Sequence, residues 1–268
     1  MSEKVTLKVA DNWNIKVCKN WARVMSPLFE SKSFRSLLTG ALSSPNLVPD
    51  KSKIFRAFEL VDFNDVKVVI VGQDPYPSRD HASGLAFGVP VIESTPKTLS
   101  NIIDELERDA NSAYLVGKTA VVPEPTVFPR REITLEGWAQ QGVLLLNSVL
   151  TTEVQVVGAH IDQGWEDFTD AIVYSLTQHK TPKVFMLWGT LAQRKIEKLN
   201  AERFGGQHGH ILTLTASHPS PSTFNVGVFG TRFKGCEHFS KANVFFQKHN
   251  VKKIDWSRFL PLKKKEEI

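Results

Sequence analysis

Residues 66–76 read Val66-Lys67-Val68-Val69-Ile70-Val71-Gly72-Gln73-Asp74-Pro75-Tyr76. The first six positions are almost all β-branched and aliphatic, without the alternation that marks a half-exposed strand. A continuous apolar run of this length that ends at a glycine is typical of a strand buried on both faces of a parallel sheet. We therefore interpret the run as a central strand whose carboxyl end carries the polar residues Gln73 and Asp74.

Three further apolar runs have the same character: Val143 to Leu146, Lys183 to Trp188 and Ile211 to Thr215. Helical patterns lie between them. The clearest begins near Trp165 and repeats apolar residues at helical spacing, at Phe168, Ile172, Val173 and Leu176. Because strands alternate with helices, the sequence predicts an α/β fold, a three-layer α/β/α sandwich with a short central four-stranded parallel sheet.

The composition is that of a globular protein. Of 268 residues, 41% are hydrophobic and 23% charged, which excludes a disordered or fibrous chain. We expect a single domain over residues 1–268, with a flexible basic tail at Lys263 to Glu267. The stretch from Ala110 to Arg131 contains three prolines and few periodic positions, so it is predicted to be a long loop or insertion.

The charge balance and the number of cysteines favour some classes of protein and exclude others. Lys and Arg number 33 against 28 Asp and Glu, and this +5 balance favours a polyanionic partner without specifying one. Two cysteines, Cys18 and Cys236, cannot build a disulfide framework. No signal peptide and no apolar run near the ~20 residues of a membrane span is present. We expect a soluble intracellular protein, cytoplasmic in a prokaryote and nuclear in a eukaryotic or viral setting.

Polar residues follow the predicted strands, and ligands of open parallel sheets bind beyond the carboxyl ends of the strands. Asp74 precedes a proline, which favours an extended or turn conformation. His218, also before a proline, could donate to a developing negative charge. Asn147 offers a donor and an acceptor to an amide-like ligand edge. Taken singly, these residues are also consistent with a turn aspartate, a structural histidine and a turn asparagine, and for Asp74 alone the turn is favoured.

In combination, these loops resemble the family-1 uracil-DNA glycosylases in order and spacing. The matching motifs are Gly72-Gln73-Asp74-Pro75-Tyr76, Gly84-Leu85-Ala86-Phe87, the stretch Gly137 to Asn147, and His218-Pro219-Ser220-Pro221. The similarity covers roughly residues 20 to 258. It implies an enzyme that flips uracil out of DNA and hydrolyses its bond to deoxyribose, leaving an abasic site, without a metal or a cofactor.

The resemblance implies a role for each matching residue. Asp74 would orient the attacking water and stabilise positive charge on the sugar, while neutral His218 would stabilise negative charge on the uracil 2-carbonyl oxygen. Asn147 would pair with the uracil edge and so reject cytosine. The remaining pocket residues would be Gln73, which donates to base oxygens, Tyr76, which excludes the thymine methyl group, and Phe87, which stacks on the ring.

The implied DNA-binding residues lie in other loops: Thr98, Gly189, Thr190, Ser220, Ser222, Phe224 and Arg232. Ser222 stands where the family usually has a leucine that wedges into the duplex, and a serine cannot fill a vacated stack. Our hypothesis is that an apolar residue of the longer loop that follows inserts instead: Phe224, Val226 or Phe229. The alternative is that these side chains pack the loop against the protein.

The implied partners are single- and double-stranded DNA that contains uracil, with a protein inhibitor that mimics DNA as a further candidate. The enzyme is expected to be a monomer. Two other readings stay open at this point: a glycosylase with shifted specificity, and a DNA-binding scaffold that kept the fold and lost the activity.

Overall fold

The computed structural model describes residues 2–91, 95–116, 127–128, 133–195, 209–227 and 231–260. Its helices and strands follow one another in this order: β1 Lys4–Ala10, β2 Trp13–Cys18, α1 Trp21–Phe29, α2 Lys32–Thr39, β3 Leu47–Val48, α3 Arg56–Leu60, β4 Val68–Gly72, α4 Lys97–Val116, α5 Glu136–Ala139, β5 Val143–Asn147, β6 Thr152–Glu153, α6 Trp165–Thr177, β7 Lys183–Trp188, α7 at residues 190–195, β8 Ile211–Ala216 and α8 His238–Lys248.

The four predicted strands pair as one parallel sheet in the order β5-β4-β7-β8. Every residue of β4, β5 and β7 is buried, which explains why these strands read as continuous apolar runs. Strand β8 lies at the edge and alternates between exposed and half-buried residues along most of its length. The predicted fold class is therefore confirmed, and the predicted strand ends differ from the observed ones by at most two residues.

The order of the strands places the helices in two layers. The chain passes from β4 to β5 through α4, and then back across β4 to β7 through α6. Because such crossovers are right-handed, these opposite steps put α4 and α6 on opposite faces of the sheet. Helix α4 packs with α8, and α6 packs with α1 and α2. The segments that leave β4 and β5 thus diverge into different layers, which opens a crevice at their carboxyl ends.

The structure departs from the sequence-based expectations in three places. An antiparallel hairpin, β1–β2, and a short antiparallel pair, β3–β6, were not predicted. The predicted loop from Ala110 to Arg131 is wrong at its start, because α4 continues to Val116. No proline or glycine interrupts the chain between Lys97 and Val116, so nothing ends the helix earlier. Residues 117–126 and 129–132 lie outside the described residues, as does the basic tail.

Among the helices that the structure describes, none combines the length and the apolar character needed to cross a membrane.

An aromatic cluster joins the N-terminal helices to α6. The ring of Phe168 lies 5.8 Å from that of Phe29, 5.6 Å from Phe34 and 5.9 Å from Phe55, measured between centroids. Phe168 is buried, and so are the three partner rings. Aromatic contacts of this kind add to the free energy of apolar burial. The cluster therefore anchors the layer that covers one face of the sheet.

We predict that Phe168→Ala lowers the free energy of unfolding by about 3–5 kcal/mol, because it leaves a cavity among rings that cannot all collapse into it. Urea denaturation measures the change. The matched control is Val244→Ala on α8, where the side chain is 51% exposed and the expected change is below about 0.5 kcal/mol. Equal midpoints for the two variants would contradict the prediction.

Candidate active site

A cavity of about 220 Å³ opens at the carboxyl ends of the strands. This is smaller than the roughly 300–1,000 Å³ typical of pockets for drug-sized ligands, so it suits one planar ring better than a whole nucleotide. The structure brings seven of the predicted site residues together in its lining: Gln73, Asp74, Tyr76, Phe87, Thr98, Asn147 and His218.

The pairing of β4 with β5 positions Asn147. Gly72 is the direct partner of Asn147 in the parallel register. A Cβ atom on Gly72 would lie 2.3 Å from Oδ1 of Asn147, so only glycine leaves room for this amide. Beyond the strands, the amide N–H groups of Ser148 and Val149 donate to the carbonyl oxygens of Gly72 and Gln73, each at 2.9 Å. The two loops are thereby joined at the floor of the cavity.

The carboxylate of Asp74 is held by the main chain of a distant loop. The N–H of Gly158 donates to Oδ2 of Asp74 at 2.6 Å. Burial raises the pKa of Asp74 above its usual range, while the N–H groups of Gly158 and of Asp74 itself oppose this shift. The result is a partly desolvated carboxylate with a fixed orientation. The sequence analysis missed Gly158, since 84 residues separate donor and acceptor and no motif marks the pair.

A main-chain donor also fixes the tautomer of His218. The N–H of Ser220 donates to Nδ1 of His218 at 3.1 Å. Because Nδ1 accepts, the neutral ring carries its proton on Nε2, which is then the donor that the imidazole offers to a ligand. Burial lowers the pKa of His218 below its ordinary value of 6.5, which favours this neutral form.

Two aromatic residues form a wall of the cavity. Phe87 has a left-handed backbone with φ +60°, which is strained for a bulky residue and of the kind found at functional sites. Its ring centroid lies 5.8 Å from that of His218 and 5.5 Å from that of Trp188. The hydroxyl of Tyr76 donates to the carbonyl oxygen of Phe87 at 3.5 Å, and burial raises the pKa of that hydroxyl. This hydrogen bond ties the Tyr76 side chain to the main chain of Phe87.

The predicted DNA-binding residues other than Thr98 do not line the cavity. Gly189 lies close to His218, since a Cβ atom on Gly189 would lie 3.0 Å from Cβ of His218. The hydroxyl of Ser220 lies 3.2 Å from that of Ser222. Thr190, the first residue of α7, is half-buried, and Ser222 and Arg232 are exposed.

The wedge hypothesis requires a correction at Phe224. This side chain is buried, and its ring packs 5.8 Å from that of Phe233. A residue that enters a base stack must be accessible, so the structure favours the alternative interpretation, that Phe224 packs the loop against the protein. Val226 is exposed and stays a prediction, and Phe229 lies outside the described residues.

A buried polar network, also missed in the sequence, supports the loop that follows Asn147. Nζ of Lys195 on α7 donates to Oγ1 of Thr169 on α6 at 2.7 Å, and forms an ion pair with Asp170. Oγ1 of Thr169 in turn donates to the carbonyl oxygen of Ser148 at 2.8 Å. A lysine on a helix is usually solvated, so no local pattern predicts this contact.

Comparisons with known proteins agree with this geometry. A family model described as the uracil DNA glycosylase superfamily matches residues 58–247. A uracil-DNA glycosylase of Haemophilus influenzae is 37% identical, and the match covers 89% of this chain and 99% of the relative. Uracil-DNA glycosylase 1 of Bacteroides fragilis is 35% identical, and that match covers 91% of this chain and 100% of the relative. The crystal structure of mimivirus uracil-DNA glycosylase superposes with a TM-score of 0.73 at 26% identity, covering 88% of this chain and 86% of that one. A mimivirus UNG variant in complex with UGI gives the same TM-score and identity, with 89% and 88% covered.

We predict that the His218 ring is neutral at pH 7, with its proton on Nε2, because Nδ1 accepts from Ser220 and burial disfavours the cation. Nitrogen-15 NMR of the histidine side chains across pH 4–8 measures both properties. Since the folded pKa lies below the unfolded one, the contribution of this residue to stability is present above about pH 6.5 and is lost as the pH falls through the folded pKa. An imidazolium at pH 7, or a proton on Nδ1, would contradict the assignment.

We also predict that Gly72→Ala displaces the Asn147 side chain, because the new methyl group and Oδ1 cannot both occupy the 2.3 Å gap. The side-chain amide resonances of Asn147, measured by nitrogen-15 NMR, should therefore shift in the variant. The control is Gly209→Ala, where a Cβ meets no atom within 4 Å. Unshifted Asn147 resonances in Gly72→Ala would show that the position of this amide does not depend on the glycine.

Proposed function

This chain belongs to the uracil DNA glycosylase superfamily and is a glycosylase that excises uracil in DNA repair, and on that premise we propose that Asp74 and His218 carry the reaction. One observation carries the proposal: an oriented carboxylate and a neutral imidazole donor line the same cavity. The motifs around both residues also support the finer placement among the family-1 enzymes.

The two groups match the charges that develop as the bond breaks. When the bond between the uracil nitrogen and C1′ of deoxyribose lengthens, its electron pair moves onto the base and positive charge grows on the sugar. The Asp74 carboxylate stabilises the sugar and orients the water whose oxygen forms the new bond to C1′. Nε2–H of His218 donates to the uracil 2-carbonyl oxygen. Preorganised groups of opposite character thus stabilise the transition state more than the substrate.

Recognition of uracil is assigned to the remaining residues of the cavity. Asn147 accepts from the ring N–H and donates to the 4-carbonyl oxygen, a pairing that cytosine cannot satisfy, at a cost of roughly 1–3 kcal/mol for each unpaired group. Tyr76 occupies the space of a 5-methyl group and so rejects thymine. Phe87 stacks on the ring, and Gln73 donates to base oxygens. The hydrogen bond from the half-buried Tyr76 side chain to the main chain of Phe87 supports a rigid wall of this kind.

The DNA backbone is assigned to the loops around the cavity. Thr98, Gly189, Thr190, Ser220, Ser222 and Arg232 would contact phosphates and hold either single- or double-stranded DNA while the base is extruded. A mimivirus UNG variant of similar fold was solved in complex with UGI, a DNA-mimic inhibitor. We infer that a protein of that class would block this face, and that the enzyme acts as a monomer.

We predict that Asp74→Asn and His218→Leu each slow uracil release from single-stranded DNA by about 10²- to 10³-fold, as expected when a group that stabilises transition-state charge is removed. Abasic-site formation under single-turnover conditions measures the rate, and thermal melting checks that the fold is intact. Wild-type turnover in either variant would refute the role of that residue. Failure of the native protein to form abasic sites while still binding the DNA would favour the inactive scaffold.

A further inference from the structure

Three apolar side chains are exposed within six residues beside the cavity. Val156 is 47% exposed, Val157 67% and Ile161 39%. Single exposed valines are ordinary at protein surfaces, but Val157 also lines the cavity that we assign to the extruded base. The exposed residues Val156 and Val157, called here the valine tip, are therefore continuous with the proposed binding site.

The valine tip is held on a rigid turn. The N–H of Gln155, whose φ is +63°, donates to the carbonyl oxygen of Pro77 at 2.8 Å. Oγ1 of Thr152 donates to the carbonyl oxygen of Val156 at 2.5 Å, and the next N–H after Val157, that of Gly158, holds Asp74. β-branched side chains have few rotamers, so burying them against a partner costs little conformational entropy. The tip thus has a fixed position relative to the catalytic carboxylate.

An enzyme that extrudes a base from duplex DNA needs an apolar surface such as the valine tip. Extruding a nucleotide leaves a gap in the base stack, and proteins that distort DNA commonly fill such gaps with apolar side chains. In the loop after His218, Ser222 is polar and Phe224 is buried, which leaves Val226 as the exposed apolar side chain among the wedge candidates that the structure describes. Val157 lines the cavity and is also 67% exposed, so its side chain is accessible to DNA outside the cavity.

We propose that the valine tip packs against the base pair next to the extruded uridine and stabilises the open duplex. The proposal rests on the function proposed above and extends it, because it makes the tip a determinant of activity on duplex DNA. Single-stranded DNA has no neighbouring pair to support, so its uracil gains less from the contact. The tip therefore acts on the preference between substrates and takes no part in breaking the glycosidic bond.

The test is the ratio of single-turnover rates on a U:A duplex and on the matched single strand, measured for each variant. Val157→Thr keeps the shape and β-branching of the side chain and replaces one methyl group with a hydroxyl, so the turn is preserved. Val157→Ser removes most of the apolar surface. We expect the duplex-to-single-strand ratio to fall severalfold in the first variant and about tenfold in the second. Val157→Ile should keep the native ratio or raise it.

The matched control is Val244→Ser on α8, which is 51% exposed, does not line the cavity and should leave the ratio unchanged. Val226→Ser tests the rival position in the loop after His218. A native ratio in Val157→Ser overturns the inference, and so does a drop confined to Val226→Ser. If the native enzyme releases no uracil from the single strand, the proposed function fails first, so the two failures are distinguishable.

Discussion

The parallel pairing of β4 with β5 is the constraint on which the candidate active site depends. Its register sets Gly72 opposite Asn147, and the ladder continues past the strands into the loops that carry Gln73, Asp74 and Ser148. A slip of one residue would turn every side chain of the strand to the other face and separate the amide from the carboxylate. The missing side chain at Gly72 is part of the same constraint, since the amide occupies the space that a Cβ would fill.

Burial shifts the pKa values of Asp74 and His218, the two groups proposed to be catalytic, in opposite directions, and their hydrogen bonds oppose or reinforce these shifts. Desolvation raises the pKa of Asp74 and lowers that of His218, so it favours the neutral form of both. The carboxylate accepts main-chain N–H groups, which favour its anion. The imidazole accepts one N–H at Nδ1, which favours its neutral form. The cavity can therefore hold one negative charge beside one neutral donor, as a transition state with separated charges requires.

Much of the fold and the site could be predicted because the signals are local. Four apolar runs marked the strands, and the rule that ligands bind at their carboxyl ends brought Asp74, Asn147 and His218 together. The rest depends on contacts that no short pattern encodes. The donor to Asp74 lies 84 residues away, and the buried lysine on α7 acts through a threonine on α6. Phe224 looked available in sequence, and only its packing against Phe233 shows that it is buried.

The use of main-chain donors for both Asp74 and His218 has an evolutionary consequence. Every residue except proline carries an N–H, so the donor at position 220 persists whatever side chain stands there, provided that the turn keeps its shape. The orientation of the His218 imidazole therefore depends on the conformation of the backbone and not on which side chain stands at position 220.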